Sequence, residues 1–398
     1  MEDEPSIGTH IRRIRRWRGL SLEQAAGLAG MSKSYLSKIE NGYYAVDRRS
    51  TLVAIADALQ VAPQDLTALP VPAPGNEGNV DATVGQLRQA LMAVAAGYPG
   101  GRVCTAEELR DRVLALHGPE RENRLPEVGA ELPTLVRDLH TSIAAGKDVG
   151  HLLELAALLH AQDTRGWLWM HHAPLDLRWQ AATLARQAAR EREDPAAIGV
   201  ATWGATIEML ASGAFELALT ELDNTEVPTS SDDSMQLAGM LALSRSLAAA
   251  AASRPAEVDA ALDQASELAE RTGQGNAYWM GFGPTNVGLW RMAVALESGD
   301  HEQAATVAES IHPDQHPSTE RRATYWLDYG RALAGMRGKA DDAIRALRTA
   351  ETLHPTRVRR NPFARETVAE LTRRARRDAG GRELRGMAYR MGILESGN

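Results

Sequence analysis

Residues Met31 to Gly42, MSKSYLSKIENG, set Ser32, Lys33, Ser34, Tyr35, Ser37 and Lys38 around two apolar positions, Leu36 and Ile39. Cations, hydroxyls and a phenol in this arrangement suit phosphate oxygens and the edges of nucleic-acid bases. The spacing predicts one short helix. Ser32 is its N-cap, Leu36 and Ile39 form its buried face, and Gly42 is the left-handed exit after Asn41. Its polar face is then free for a partner, and a DNA major groove is the partner its chemistry fits.

The elements around it must hold that face outward. From Ser6 to Trp17 the apolar residues Ile7, Ile11 and Ile14 recur at helical spacing among Arg12, Arg13, Arg15, Arg16 and Arg18, and Gly19 stops the run. Trp17 is expected in the core or at a domain interface. Ser21 and Gln24 form a capping box for a second helix, whose inner face of Ala25, Ala26 and Ala29 lets another helix approach closely. Gly30 makes the turn into the third helix. A fourth helix is expected from about Ser50 to Leu59 and a short fifth from Pro63 to Leu69. A small inner face, a glycine turn and a polar-fronted second helix describe helix-turn-helix geometry.

The run GLSLEQAAGLAGMSKSYLSKIENG resembles the core of phage-repressor-like (Cro/repressor, or XRE) regulators, and the resemblance spans roughly Ile7 to Leu69. By position it implies that Lys33, Ser34 and Lys38 read bases, with Tyr35 and Ser37 beside them at bases or phosphates. Asn41 and Arg48 or Arg49 match phosphate-contacting positions, and Arg15 and Glu40 match a structural ion pair between the first and third helices. One position departs from the pattern: Leu22 stands where the family often has a glutamine that touches phosphate. That contact is missing or comes from elsewhere, such as Ser21 or an N-terminal arginine.

Composition bounds the rest of the chain. The 398 residues suggest two or three domains, and the Ala- and Leu-dominated apolar content predicts an all-α protein. One cysteine, Cys104, excludes an internal disulfide framework and fits a cytoplasmic, reducing setting. No apolar run reaches membrane-spanning length. The net charge of −8 is unevenly spread: residues 1–70 hold nine basic and eight acidic residues, and residues 356–390 hold eleven and four. The acidity therefore lies in the middle and does not argue against a nucleic-acid partner for the N-terminal domain. Arginine over lysine and abundant alanine fit a bacterial, high-GC genome.

The expected organisation is a helix-turn-helix domain (1–70), a linker (71–81), connector helices (82–125) and a helical repeat domain (126–398). Repetition supports the last part. SGAFELALTEL, SGDHEQAATVAESI and RGKADDAIRALRTAETLHP each place a glycine at a helix end and an alanine five residues on: Ala218, Ala304 and Ala343. SRPAEVDAALDQASELAE fits as a degenerate copy with Pro255 at the glycine position and Ala260 five on. These segments resemble a tetratricopeptide-type (TPR-like) α-solenoid. The basic C-terminal segment, Phe363 to Gly392, reads as a solvated capping helix; its alternative is a patch near DNA or against an acidic partner subunit.

No catalytic, cofactor or metal pattern stands out. His312 and His316 have ligand-like spacing, but Pro313 and Pro317 oppose the helix it would need. Tryptophans and tyrosines concentrate in the repeats instead. Core packing is the default for residues at helical spacing. A groove with aromatic walls is the sharper alternative, and its candidate effector contacts are Trp203, Tyr278, Trp279, Phe282, Asn286, Trp290, Arg291, Tyr325, Trp326 and Tyr329. A repressor-like domain before such an array is similar in plan to peptide-pheromone-sensing regulators of Gram-positive bacteria. The plan implies a homodimer on a double-stranded DNA operator, controlled by a small molecule or peptide that shifts the spacing of the two recognition helices. The alternative is a constitutive regulator or scaffold whose array docks another protein.

Overall fold

The computed structural model describes residues 6–67, 78–117, 124–316, 318–375 and 381–394. The fold is all-α, with no strand among the described residues. No described helix is long and apolar enough to cross a membrane.

Five helices make the N-terminal unit: α1 (Ile7–Trp17), α2 (Leu22–Leu28), α3 (Lys33–Glu40), α4 (Arg49–Leu59) and α5 (Pro63–Thr67). Ile7, Ile11, Leu36, Ile39, Val46, Ile55, Leu59 and Leu66 fill its core. The expected fifth helix ends at Thr67, and Ala68 and Leu69 lie outside the described residues. Trp17 corrects the reading above. It is 76% exposed, with the Arg18 guanidinium 5.0 Å from its ring centre. It sits in the last turn of α1, past the last residue the small core can reach.

Of the expected linker, residues 71–77 lie outside the described residues, and Gly78 already opens a helix that runs to Ala95. From there the chain is a succession of packed helices to Arg390. Helix pairs turn on left-handed residues: Gly213, Gly299 and Gly338 take φ of 85°, 78° and 79°. Ala218, Ala304 and Ala343 are completely buried five residues later. The fourth copy is out of register. Ser253 takes the left-handed position with φ 61°, and Val258 is the buried residue five on, while Ala260 is exposed. Pro255 is N1 of its helix, a position that suits a residue without an N–H, so it could not be the turn residue.

Large side chains lock into notches elsewhere in the array. A Cβ on Gly239 would lie 2.1 Å from the Phe282 ring, and one on Gly129 would lie 2.5 Å from the Trp167 ring. The helix Val149–Leu158 continues through a π-helical turn, Leu159–Thr164, whose six residues are all buried. Glu208 accepts there from Arg165 at 3.2 Å and is ion-paired with Arg178 at 2.9 Å. In the same region His140 Nε2 and His160 Nε2 meet at 2.8 Å.

This histidine pair makes stability depend on pH. Burial pushes His140 down from 6.5 to about 4 and holds His160 well below its ordinary value, with the His140 charge adding to the latter. The unfolded chain takes up these protons below pH 6.5, whereas the folded chain refuses the His140 proton until about pH 4. Stability is therefore full above pH 6.5 and falls as pH drops toward 4, by about 3 kcal/mol for His140 alone. Urea midpoints at pH 7.5 and 4.5 should differ in that direction, and equal midpoints would contradict it.

The C-terminal helices correct a second expectation. Pro362–Ala375 is not a solvated cap: Phe363, Arg365, Glu366 and Val368 are buried, and Glu366 accepts a 2.7 Å hydrogen bond from the Ile7 N–H of α1. A pattern of arginines reads as surface in a sequence. Here Arg373 donates to the carbonyl of Gly42, and Arg374, still half-exposed, donates to that of Ala334.

Candidate nucleic-acid interface

The geometry of α3 begins with its neighbours. Ser21 Oγ accepts from Gln24 N and the Gln24 side chain returns to Ser21 N, closing the capping box of α2. Ala25 and Ala26 are buried, Gly30 turns at φ 66°, and Met31 N reaches back to Ala26 O at 3.0 Å. Ser32 then caps α3 by accepting from Tyr35 N at 3.1 Å, and Gly42 leaves it at φ 70°. Leu36 and Ile39 are each 1% exposed, which fixes the rotation of the helix about its axis.

Two contacts hold α3 against α1. The Cα of Gly8 lies so close to α3 that a Cβ there would sit 2.1 Å from Ile39 O. Beside it Arg15 forms a fork on Glu40, with Nε to Oε1 at 2.6 Å and Nη2 to Oε2 at 2.7 Å, and it also donates to Leu20 O at 2.9 Å. The hydrogen bond with Glu40 raises Arg15 above its ordinary value. Arg12 adds a 2.8 Å bond to Glu40 O and one to Asn41 Oδ1.

Lys33, Ser34 and Lys38 stand exposed on the outer face together with Ser32, and Ser21 is exposed at the start of α2. Tyr35 and Ser37 are half-buried at its flank. Asn41 is exposed, but its amide is engaged with Ser37 O at 2.7 Å and with Arg12. Leu22 is half-buried and packs on the domain's core, so nothing at that position faces outward to replace a phosphate-binding amide. Lys33 has only an exposed acidic neighbour, Glu23 Oε2 at 3.4 Å.

Tyr43 and Tyr44 were missed by the sequence reading. They follow Gly42, are 69% and 39% exposed, and lie beside α3. Lys38 Nζ donates to Tyr44 Oη at 3.2 Å and lies 4.8 Å from the ring centre. Tyr44 thus aims Lys38. Two adjacent tyrosines after a helix stop were the available signal, but exposure is a tertiary property.

Arg48 and Arg49 are not on the open face. Both are half-buried against the helical array, where Arg49 is paired with Glu297.

The effector candidates do not share one groove. Trp203, Phe282, Asn286 and Trp290 are buried at 7%, 0%, 0% and 6% exposure, and Asn286 donates to Met240 Sδ. Tyr325, Trp326 and Tyr329 meet in edge-on and tilted ring contacts in a separate core cluster, with Tyr325 Oη donating to Ala308 O. Arg291 reaches Ser266 on the preceding helix. Tyr278 and Trp279 are half-buried, both at positive φ, and Trp279 stacks on His117 at 3.9 Å. A cleft of about 300 Å³ between Arg186, Ile198, Thr202, Glu221 and Asn224 is lined by none of the ten. No group of three or more His, Cys, Asp or Glu side chains among the described residues could hold a metal ion.

Residues 6–69 match a family model described as a helix-turn-helix domain. The chain therefore carries an N-terminal helix-turn-helix DNA-binding domain, and the array of helices follows it. The comparison with curated proteins gives no match, and neither does the comparison with solved structures.

Proposed function

We propose that this protein is a sequence-specific transcriptional regulator of the phage-repressor-like (XRE) kind, which reads a double-stranded DNA operator with α3. The observation that carries the reading is the open face of Lys33, Ser34 and Lys38 inside a matched helix-turn-helix domain. Cations and hydroxyls on that face suit guanine edges and phosphates. Selection of bound duplexes from a random library tests it: a recovered consensus supports the reading, and enrichment of no sequence defeats it.

The proposal extends to a homodimer in a bacterial cytoplasm and to a TPR-like array that takes a small molecule or peptide. One short recognition helix with few phosphate contacts binds weakly, which is the argument for two copies. Buried carboxamide, indole and aromatic groups in the middle repeats are the material for an effector site. Their burial also favours the second reading, in which the array serves as a docking surface for another protein. Native mass spectrometry of freshly purified protein separates the two by the mass of what co-purifies.

A further inference from the structure

We propose that the helical array is a latch on the DNA-binding domain, with the Glu297 carboxylate occupying the place a DNA phosphate would take at the start of α4. The inference rests on the DNA-binding reading above and adds how that activity is restrained.

α4 opens at Arg49, and its N-cap, Arg48, offers no side-chain cap. The first N–H groups of such a helix need acceptors and favour an oxyanion. Glu297 supplies it from the end of the helix Pro284–Glu297: Oε1 accepts from Ser50 N at 2.8 Å and Oε2 from Arg49 N at 3.1 Å, with Arg49 Nη1 at 3.4 Å. The Glu297 side chain is only 2% exposed, so these partners are what make its burial tolerable.

The loop between α3 and α4 is also held by the array, at Gly42, Ala45, Asp47 and Arg48, while Tyr43 and Tyr44 remain exposed. Arg373 Nε donates to Gly42 O at 2.6 Å, Glu370 accepts from the Ala45 backbone, and Arg331 Nη2 donates to Asp47 O at 2.5 Å. His301 Nε2 lies 3.3 Å from the Asp47 carboxylate. Arg49 and Arg331 both lie over the Phe363 ring, at 5.6 and 5.1 Å, and the Arg48 guanidinium lies against Gly299. Val53 of α4 fills the notch left by Gly213. Thus Lys33, Ser34 and Lys38 stay open, while the two arginines that match phosphate-contacting positions face the array.

A carboxylate and a phosphate compete for the same N–H donors, and both cannot hold them at once. The recognition face is ready, but the backbone clamp beside it is closed. Release of the array, by whatever it binds, would return the start of α4 and the Arg49 guanidinium to the duplex.

The test uses the full chain and a fluorescent 30-base-pair mixed-sequence duplex, followed by anisotropy between 50 and 200 mM KCl. Glu297→Gln keeps the shape and removes the charge. It should bind about 10-fold tighter than wild type, with a salt slope steeper by about one unit for each phosphate contact regained. Arg373→Gln loosens the latch from its other side and should shift affinity the same way by a smaller factor, which guards against one variant that fails to fold. Equal or weaker binding by folded Glu297→Gln and Arg373→Gln would overturn the latch. If Lys33→Ala/Lys38→Ala weakens the wild-type complex while Glu297→Gln strengthens nothing, only the latch fails. If neither wild type nor folded Glu297→Gln binds a duplex at any salt, the DNA reading fails with it.

Discussion

Replacing Lys33 and Lys38 together by alanine is expected to lower affinity for the selected operator by about 1000-fold, with loss of preference over mixed sequence. Each lysine is exposed on the outer face of α3, and the buried face of that helix is made by Leu36 and Ile39, so the domain should fold as before. A good base-edge contact contributes on the order of 1–3 kcal/mol, and two lost together account for the expected factor. Lys33 gives up only an exposed ion pair with Glu23, a contact of small consequence in water. Lys38 gives up its bond to Tyr44, so part of the effect should reappear in Tyr44→Phe as a smaller loss. Titrations of both variants on the selected duplex measure this. Unchanged affinity in the double variant, with the circular dichroism of wild type, would remove α3 from the reading.

Gly8→Ala is expected to destabilise the N-terminal domain by on the order of 4 kcal/mol without disturbing the array. The added Cβ would lie 2.1 Å from Ile39 O and 3.1 Å from the carbonyl carbon. Both are backbone atoms of a helix, so no side chain can swing aside. α1 must lift from α3, which strains the Arg15 fork on Glu40 and opens the core around Ile7 and Ile11. Helix propensity alone would favour alanine here by about 1 kcal/mol, so a loss identifies packing as the cause. Hydrogen exchange should accelerate in peptides from residues 6–67 and stay slow around Leu243 and Phe282. Equal exchange in both regions of variant and wild type would show that the two helices have room to adjust.

Much of the interface was legible because the information is local. An N-cap serine, a Ser-Gln capping box, a glycine turn and apolar residues at helical spacing act within one or two turns of chain, and each appears at its expected place in α2 and α3. Arg15 and Glu40 were placed together by resemblance, and the structure closes them at 2.6 Å. The helix turns were legible where a glycine makes them, at Gly213, Gly299 and Gly338. They were misread at Pro255, where a serine adopts the left-handed conformation that its side chain disfavours.

What sequence by itself determined is therefore the helical class, the position of α3 and the side chains it presents. These follow from hydrogen bonds and periodicities a few residues long. Tertiary structure decided which polar groups meet across hundreds of residues. It buried Trp203 and Phe282 and left Trp17 in solvent. It also set Glu297 against the N–H groups of Arg49 and Ser50. Burial and long-range pairing depend on how helices stack, and an arginine or glutamate in a sequence carries no mark of the partner that will desolvate it.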